Sequence, residues 1–137
     1  MVREVDNLKR EFEIWFEQAK FDLKAAKDSL KSANYEWSCF QAQQAAEKAL
    51  KGFLYLKGED IILTHSIFKL IKKCMVFDKK FKEIEQCREL DKYYIPTRYA
   101  NGLPDVIPHE FYTKEDATIC VEYAETVIST LERIVNI

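Results

Sequence analysis

LKREFEIWFEQAKFDLKAAKDSLK, residues 8–31, decides the fold class of this chain. Leu8, Phe12, Trp15, Ala19, Leu23, Ala26 and Leu30 recur at intervals of three and four, the period of one helix face, with Lys, Glu, Asp and Gln between them. The spacing predicts a long amphipathic helix. Such a helix cannot stand alone and needs a partner for its apolar stripe.

That partner follows a break at SANYEW. A second helix is predicted from about residue 35 to 57, with Cys39, Ala42, Ala45, Ala46, Ala49, Phe53 and Leu56 as its stripe. Its four alanines let a neighbouring backbone come close, and Gly58 supplies a stop. THSIFKLIKKC (64–74) reads as a shorter helix, with Thr64 as candidate N-cap and Ile67, Leu70, Ile71 and Cys74 facing inward. Asp78 is a candidate cap for another, carrying Phe77, Phe81 and Ile84 on one side and continuing towards Tyr93. Thr113 and Asp116 form a TxxD capping box that opens a last helix with the stripe Ala117, Cys120, Ala124, Val127 and Leu131. No stretch alternates with period two, so no sheet is expected. The expectation is an all-α, antiparallel up-down bundle of four to five helices, one domain over residues 1–137, with Trp15, Leu23, Ala42, Ala46, Phe53, Leu70, Val127 and Leu131 in the core.

Composition narrows the function classes. The hydrophobic fraction of 47% suits a filled core. No apolar run exceeds four residues, which leaves nothing to cross a membrane as a helix. The opening MVREVDNLKREFE is too charged for a secretory signal, so a cytoplasmic location is expected. The four cysteines (Cys39, Cys74, Cys87, Cys120) lie far apart beside apolar helix positions, without CxxC or histidine at ligand spacing. They read as core thiols; neither metal site nor disulfide is expected, and no cofactor motif is present. A net charge of −2 argues against a general polyanion binder. Residues 64–82 nevertheless carry six Lys (69, 72, 73, 79, 80, 82) against one Asp, which reads first as a solvated face.

Two stretches are candidates for chemistry. LDKYYIPTRYANGLPDVIPHEFY (90–112) holds all three prolines and Tyr93, Tyr94, Tyr99 and Tyr112 around Arg98. So long a connection in a small helical domain points to function, and its prolines and rings favour an ordered loop. Arg98 offers a fork of donors suited to phosphate or carboxylate; the competing reading is a strut stacked on tyrosine and bridged to Glu47 or Asp91. In QAQQAAEKALKG (41–52), Gln44, Glu47, Lys48 and Lys51 share one polar side, either a solvated ridge or a partly buried partner for Arg98. His65 and His109 each read as structural.

Together these stretches resemble the HEPN family (higher eukaryotes and prokaryotes nucleotide-binding domain) over about residues 10–135. The resemblance is carried by FQAQQAAEKALKGFL (40–54), THSIFKL (64–70), LDKYYIPTRY (90–99) and FYTKEDA (111–117). It implies a helical bundle forming a two-fold homodimer, and a minimal nucleotidyltransferase as partner. Ribonuclease members carry an arginine followed, after four to six residues, by a histidine, and cut RNA without metal across the dimer cleft. Arg98 matches the arginine, with Asn101 soon after it, but Leu103, Pro104 and Asp105 occupy the histidine range, and ten residues separate His109 from Arg98. Losing an acid–base group costs roughly two to four orders of magnitude in rate. The expectation is therefore a non-catalytic module binding a nucleotide, RNA or partner through Arg98, Tyr94, Tyr99, Asn101, Glu47, Lys51 and Asp91. The alternatives are a ribonuclease using Arg98 and a displaced His109, and a purely structural dimerisation bundle.

Overall fold

The computed structural model describes residues 2–137, the side chains of Val2 and Arg3 excepted. α1 (Val2–Lys31) ends in a turn whose geometry forces the chain back on itself. Ala33 adopts φ +62, Ala33 N–H donates to Leu30 O at 3.2 Å, and Asn34 N–H donates to Ser29 O at 2.9 Å. This is a Schellman stop, which satisfies carbonyls the helix end would leave orphaned. α2 (Tyr35–Leu56) then lies antiparallel to α1. Ser38 Oγ donates to Ala26 O at 2.7 Å at one end, and Gly52 packs on Phe12 and Trp15 at the other.

The small-residue stripe has the predicted consequence. Ala42, Ala45, Ala46 and Ala49 are wholly buried. A methyl group at Gly52 would lie 3.0 Å from Trp15 Cβ, so the two backbones are as close as that glycine allows.

α2 ends in a second Schellman stop. Gly58 takes φ +93, its N–H bonds Tyr55 O at 2.9 Å, and Glu59 N–H bonds Leu54 O at 3.1 Å. The connection 57–66 returns along α2, so α3 (Ile67–Phe77) runs in the same sense as α2 and not against it as strict up-down alternation would have it. His65 meets Glu47 near its start, Cys74 Sγ donates to Leu50 O at 3.8 Å, and Phe77 meets Phe53 near its end. The cap of α3 is Ser66, not Thr64: Ser66 Oγ accepts from Lys69 N–H at 3.2 Å, whereas Thr64 Oγ1 accepts from Ser66 N–H at 3.1 Å one turn earlier.

Asp78 caps the next element as expected, accepting from Lys80 N–H at 2.9 Å. That element, Lys79–Tyr93, is a 3-10 helix broken at Ile84 (φ −109, ψ 18), with Phe81, Ile84, Cys87 and Leu90 inward. A short helix, α4 (Pro108–Phe111), interrupts the proline-rich loop. α5 (Lys114–Val135) opens on the predicted box: Asp116 N–H donates to Thr113 Oγ1 at 3.2 Å, and Thr113 N–H to Asp116 Oδ2 at 2.9 Å.

The described residues thus form an all-α bundle of five α-helices and one 3-10 helix. Of the eight core residues expected, six are buried and Trp15 and Leu23 are partly so. All four thiols are buried and free, and burial pushes that of Cys87 up to about 12. No described helix is long and apolar enough to cross a membrane.

Two substitutions test the turns and the close crossing. Ala33→Gly removes the left-handed penalty of about 1 kcal/mol, less the entropy glycine adds to the unfolded chain. A gain of about 0.5 kcal/mol in chemical denaturation is expected. Gly52→Val should cost about 1–3 kcal/mol by overpacking, read as a lower midpoint with an unchanged slope.

Candidate functional site

α2 is buried over most of its circumference, yet one face carries Glu36, Phe40, Gln43, Glu47 and Lys51 at spacings of three and four. An ionised carboxylate held out of water needs partners, and each glutamate reaches a histidine beyond α2. Glu47 Oε2 accepts from Lys51 Nζ at 3.0 Å and lies 3.1 Å from His65 Nδ1. Gln43 Nε2 donates to Glu47 Oε1 at 3.2 Å and to His65 O at 3.0 Å, fixing the residue that presents the imidazole. At the other end Glu36 Oε2 lies 2.8 Å from His109 Nδ1. The polar side of α2 is therefore not a solvated ridge: Glu47 and Lys51 are buried, and Lys48 reaches Asp22 on α1 at 2.6 Å.

Arg98 sits over this face, between the two glutamates. The chain turns at Ile95–Arg98, where Arg98 N–H donates to Ile95 O at 3.2 Å and the buried Thr97 donates to Tyr93 O at 2.6 Å. Gly102 then passes so close to Pro96 that a Cβ would stand 3.2 Å from Pro96 Cα. Arg98 Nε donates to Tyr94 O at 2.9 Å. The guanidinium carbon lies 4.5 Å from the Tyr94 ring centre, 4.9 Å from Phe40 and 5.1 Å from Tyr99. These are cation–π distances. Among the described residues Arg98 forms no ion pair, and neither Nη atom has a hydrogen-bond partner. The bridge to Glu47 or Asp91 is not made.

Asp91 has a different task. Its Oδ1 accepts from Ile67 N–H at 2.6 Å, and its Oδ2 accepts from Phe68 N–H at 3.1 Å and Ser66 Oγ at 2.9 Å. It caps α3 from the 3-10 helix, where a carboxylate also suits the helix dipole. Asn101 is exposed and borders a separate shallow hollow with Ala100, Leu103, Asp105 and Ile107. His109 is held by Glu36, with no hydrogen bond to Arg98.

His65, which the sequence reads as structural, stands beside Arg98's ring partner. Its ring stacks on Tyr94 at 4.9 Å with an 18° interplanar angle. Tyr94 thus touches both His65 and Arg98. The available signal was Glu47 on the α2 face carrying Phe40. Nearby, Tyr93 Oη donates to Asp116 Oδ1 at 3.3 Å and its ring meets Tyr112 at 5.9 Å, pinning the loop. Burial raises both phenols, Tyr112 to about 12. Among the described residues no cluster of His, Cys, Asp and Glu could hold a metal ion. The six lysines of 69–82 are all exposed.

This bundle, with its arginine-bearing tyrosine loop against α2, defines a class that comparison identifies. The HEPN domain family model matches residues 12–134, and the chain belongs to that family. It is 28% identical over 130 residues to "Putative toxin MJ1304" of Methanocaldococcus jannaschii, covering 87% of this chain and 84% of that protein. Among solved structures, TT1696 from Thermus thermophilus superposes with a TM-score of 0.83 at 35% identity, over 89% of this chain and 96% of that one. ST0689, an archaeal HEPN homologue, gives 0.72 at 35% identity, over 88% and 94%. The HEPN domain protein tm0613 from Thermotoga maritima gives 0.69 at 29%, over 89% and 97%.

Asp91→Ala should lower stability by about 2–3 kcal/mol, since it strips a charged acceptor from two amides and a hydroxyl. Urea denaturation measures the loss, and hydrogen exchange at Ile67 and Phe68 should accelerate with it.

Proposed function

We propose that this HEPN domain is a non-catalytic binding module, one half of a two-component, toxin–antitoxin-like pair with a minimal nucleotidyltransferase. The observation that carries the binding site is the guanidinium of Arg98, stacked among three rings with no carboxylate on it. Stacking limits the freedom Arg98 would lose on binding and leaves its Nη donors for a phosphate, while the half-exposed Tyr99 ring suits a base. The likeness to a protein named as a toxin supports the two-component reading.

The ribonuclease alternative needs His109 at Arg98. His109 is instead anchored on buried Glu36, which favours binding over cleavage. A two-fold homodimer through the Tyr93–Tyr99 region fits the same surface, since Trp37, Ile95 and Tyr99 stay about half exposed.

Calorimetry with ATP and a short single-stranded RNA should show binding that Arg98→Ala abolishes without a large fall in melting temperature. If neither ligand binds and the variant melts far lower, Arg98 is a strut and the binding reading fails. Purified protein should not cleave single-stranded RNA appreciably; robust cleavage lost in both Arg98→Ala and His109→Ala would make it a nuclease. Sedimentation at micromolar concentration should give twice the 16.2 kDa chain mass.

A further inference from the structure

We infer that His65 and Arg98 together form a receptor for the terminal phosphate of a nucleotide, with His65 binding as the imidazolium. The inference rests on the reading that Arg98 takes a phosphate, and adds which phosphate and what selects it. Both groups lie within 5 Å of one ring, Tyr94. Glu47 Oε2 accepts only, so the 3.1 Å contact puts the proton on His65 Nδ1 and leaves Nε2 free. The His65 side chain is 52% exposed, whereas that of Glu47 is 6% exposed. Glu47 is thus a positioning residue, itself clamped by Lys51 and Gln43.

The charges packed around His65 offset one another. From α2, Glu47 faces His65 with Lys51 as its counter-charge. From the 3-10 helix comes Asp91, whose oxygens are taken by the Ile67 and Phe68 amides and the Ser66 hydroxyl. From the loop come the neutral Tyr94 and the cation of Arg98. Thr64, His65, Ser66, Asp91 and Tyr94 line an open hollow beside the half-exposed imidazole. Arg98 is the one cation in this group without a counter-charge among the described residues, and Asp91 is a carboxylate held by neutral donors alone.

A terminal phosphate ionises a second time near pH 6, and histidine changes charge between about pH 5 and 8. A dianionic phosphate on Nε2 therefore favours the protonated ring, and the complex takes up a proton. A phosphodiester carries one charge and gains less from the imidazolium. Terminal phosphates should bind more tightly than internal ones, and that preference should fade as pH rises.

Isothermal titration of the full chain with AMP, and with 3′,5′-cyclic AMP as the diester, decides this at pH 6.5 and 8.5 in buffers of different ionisation enthalpy. AMP should bind with proton uptake and weaken about tenfold across that interval; cyclic AMP should bind more weakly at pH 6.5 and change little. His65→Phe keeps a ring on Tyr94 and should abolish both uptake and preference, while Arg98→Ala weakens both ligands. Oligoribonucleotides with and without a 5′-phosphate separate a free nucleotide from a strand end. Binding of AMP without proton uptake, equal to that of cyclic AMP, sinks the role of His65 and leaves the Arg98 site standing. Failure of wild type to bind any of them overturns both. If His65→Phe does not fold, the wild-type uptake and ligand ratio decide alone.

Discussion

The burial of two carboxylates on α2 governs how the rest of the chain is arranged around it. α2 touches α1, α3, α5 and the 3-10 helix, so most of its surface is out of water. Removing an ionised carboxylate from water costs several kcal/mol unless it is paired and hydrogen-bonded. Glu47 meets that demand with Lys51, Gln43 and His65, and Glu36 with His109. Both histidines come from connecting segments, one before α3 and one on α4. The connections are held to the bundle by the polar needs of its central helix as much as by their own apolar residues.

How Arg98 is neutralised matters more than how deeply it sits. A carboxylate would have consumed the two in-plane donors that make arginine useful. Three rings lie within 5.1 Å of the guanidinium carbon and stabilise the charge, and neither Nη atom has a hydrogen-bond partner among the described residues. The same residue in the same loop could have been a strut. Among the described residues no ion pair forms at Arg98, and nothing in the linear sequence reports that.

Helices were legible because their signals are local. The 8–31 stripe, the alanines of α2, Asp78, Gly58 and the Thr113–Asp116 box each act within about two turns of chain. What escaped was long-range. The choice between Thr64 and Ser66 as cap depends on Asp91, twenty-five residues from Ser66. The parallel course of α3 depends on where an extended connection finds partners. The sequence leaves Glu47 between a solvated ridge and a partly buried partner for Arg98; in the structure it is buried, with Lys51 and His65 as its partners. Pairing a carboxylate with one cation among several is a question of tertiary geometry. Ala33 shows the reverse case, a non-glycine in a left-handed stop that propensity alone would not place there.

Asp91 also makes the molecule mechanically continuous between its loop and its core. It stands three residues before Tyr94 and seven before Arg98, yet its oxygens grip the first amides of α3. A pull on the tyrosine loop is therefore transmitted to α3 through two hydrogen bonds to the backbone, without passing along the intervening chain. α3 packs on α2 through Cys74 and Leu50, so this link reaches the wall of the core. The loop and the bundle form a lever with its fulcrum at one carboxylate, and the amide signals of Ile67 and Phe68 are its built-in gauge.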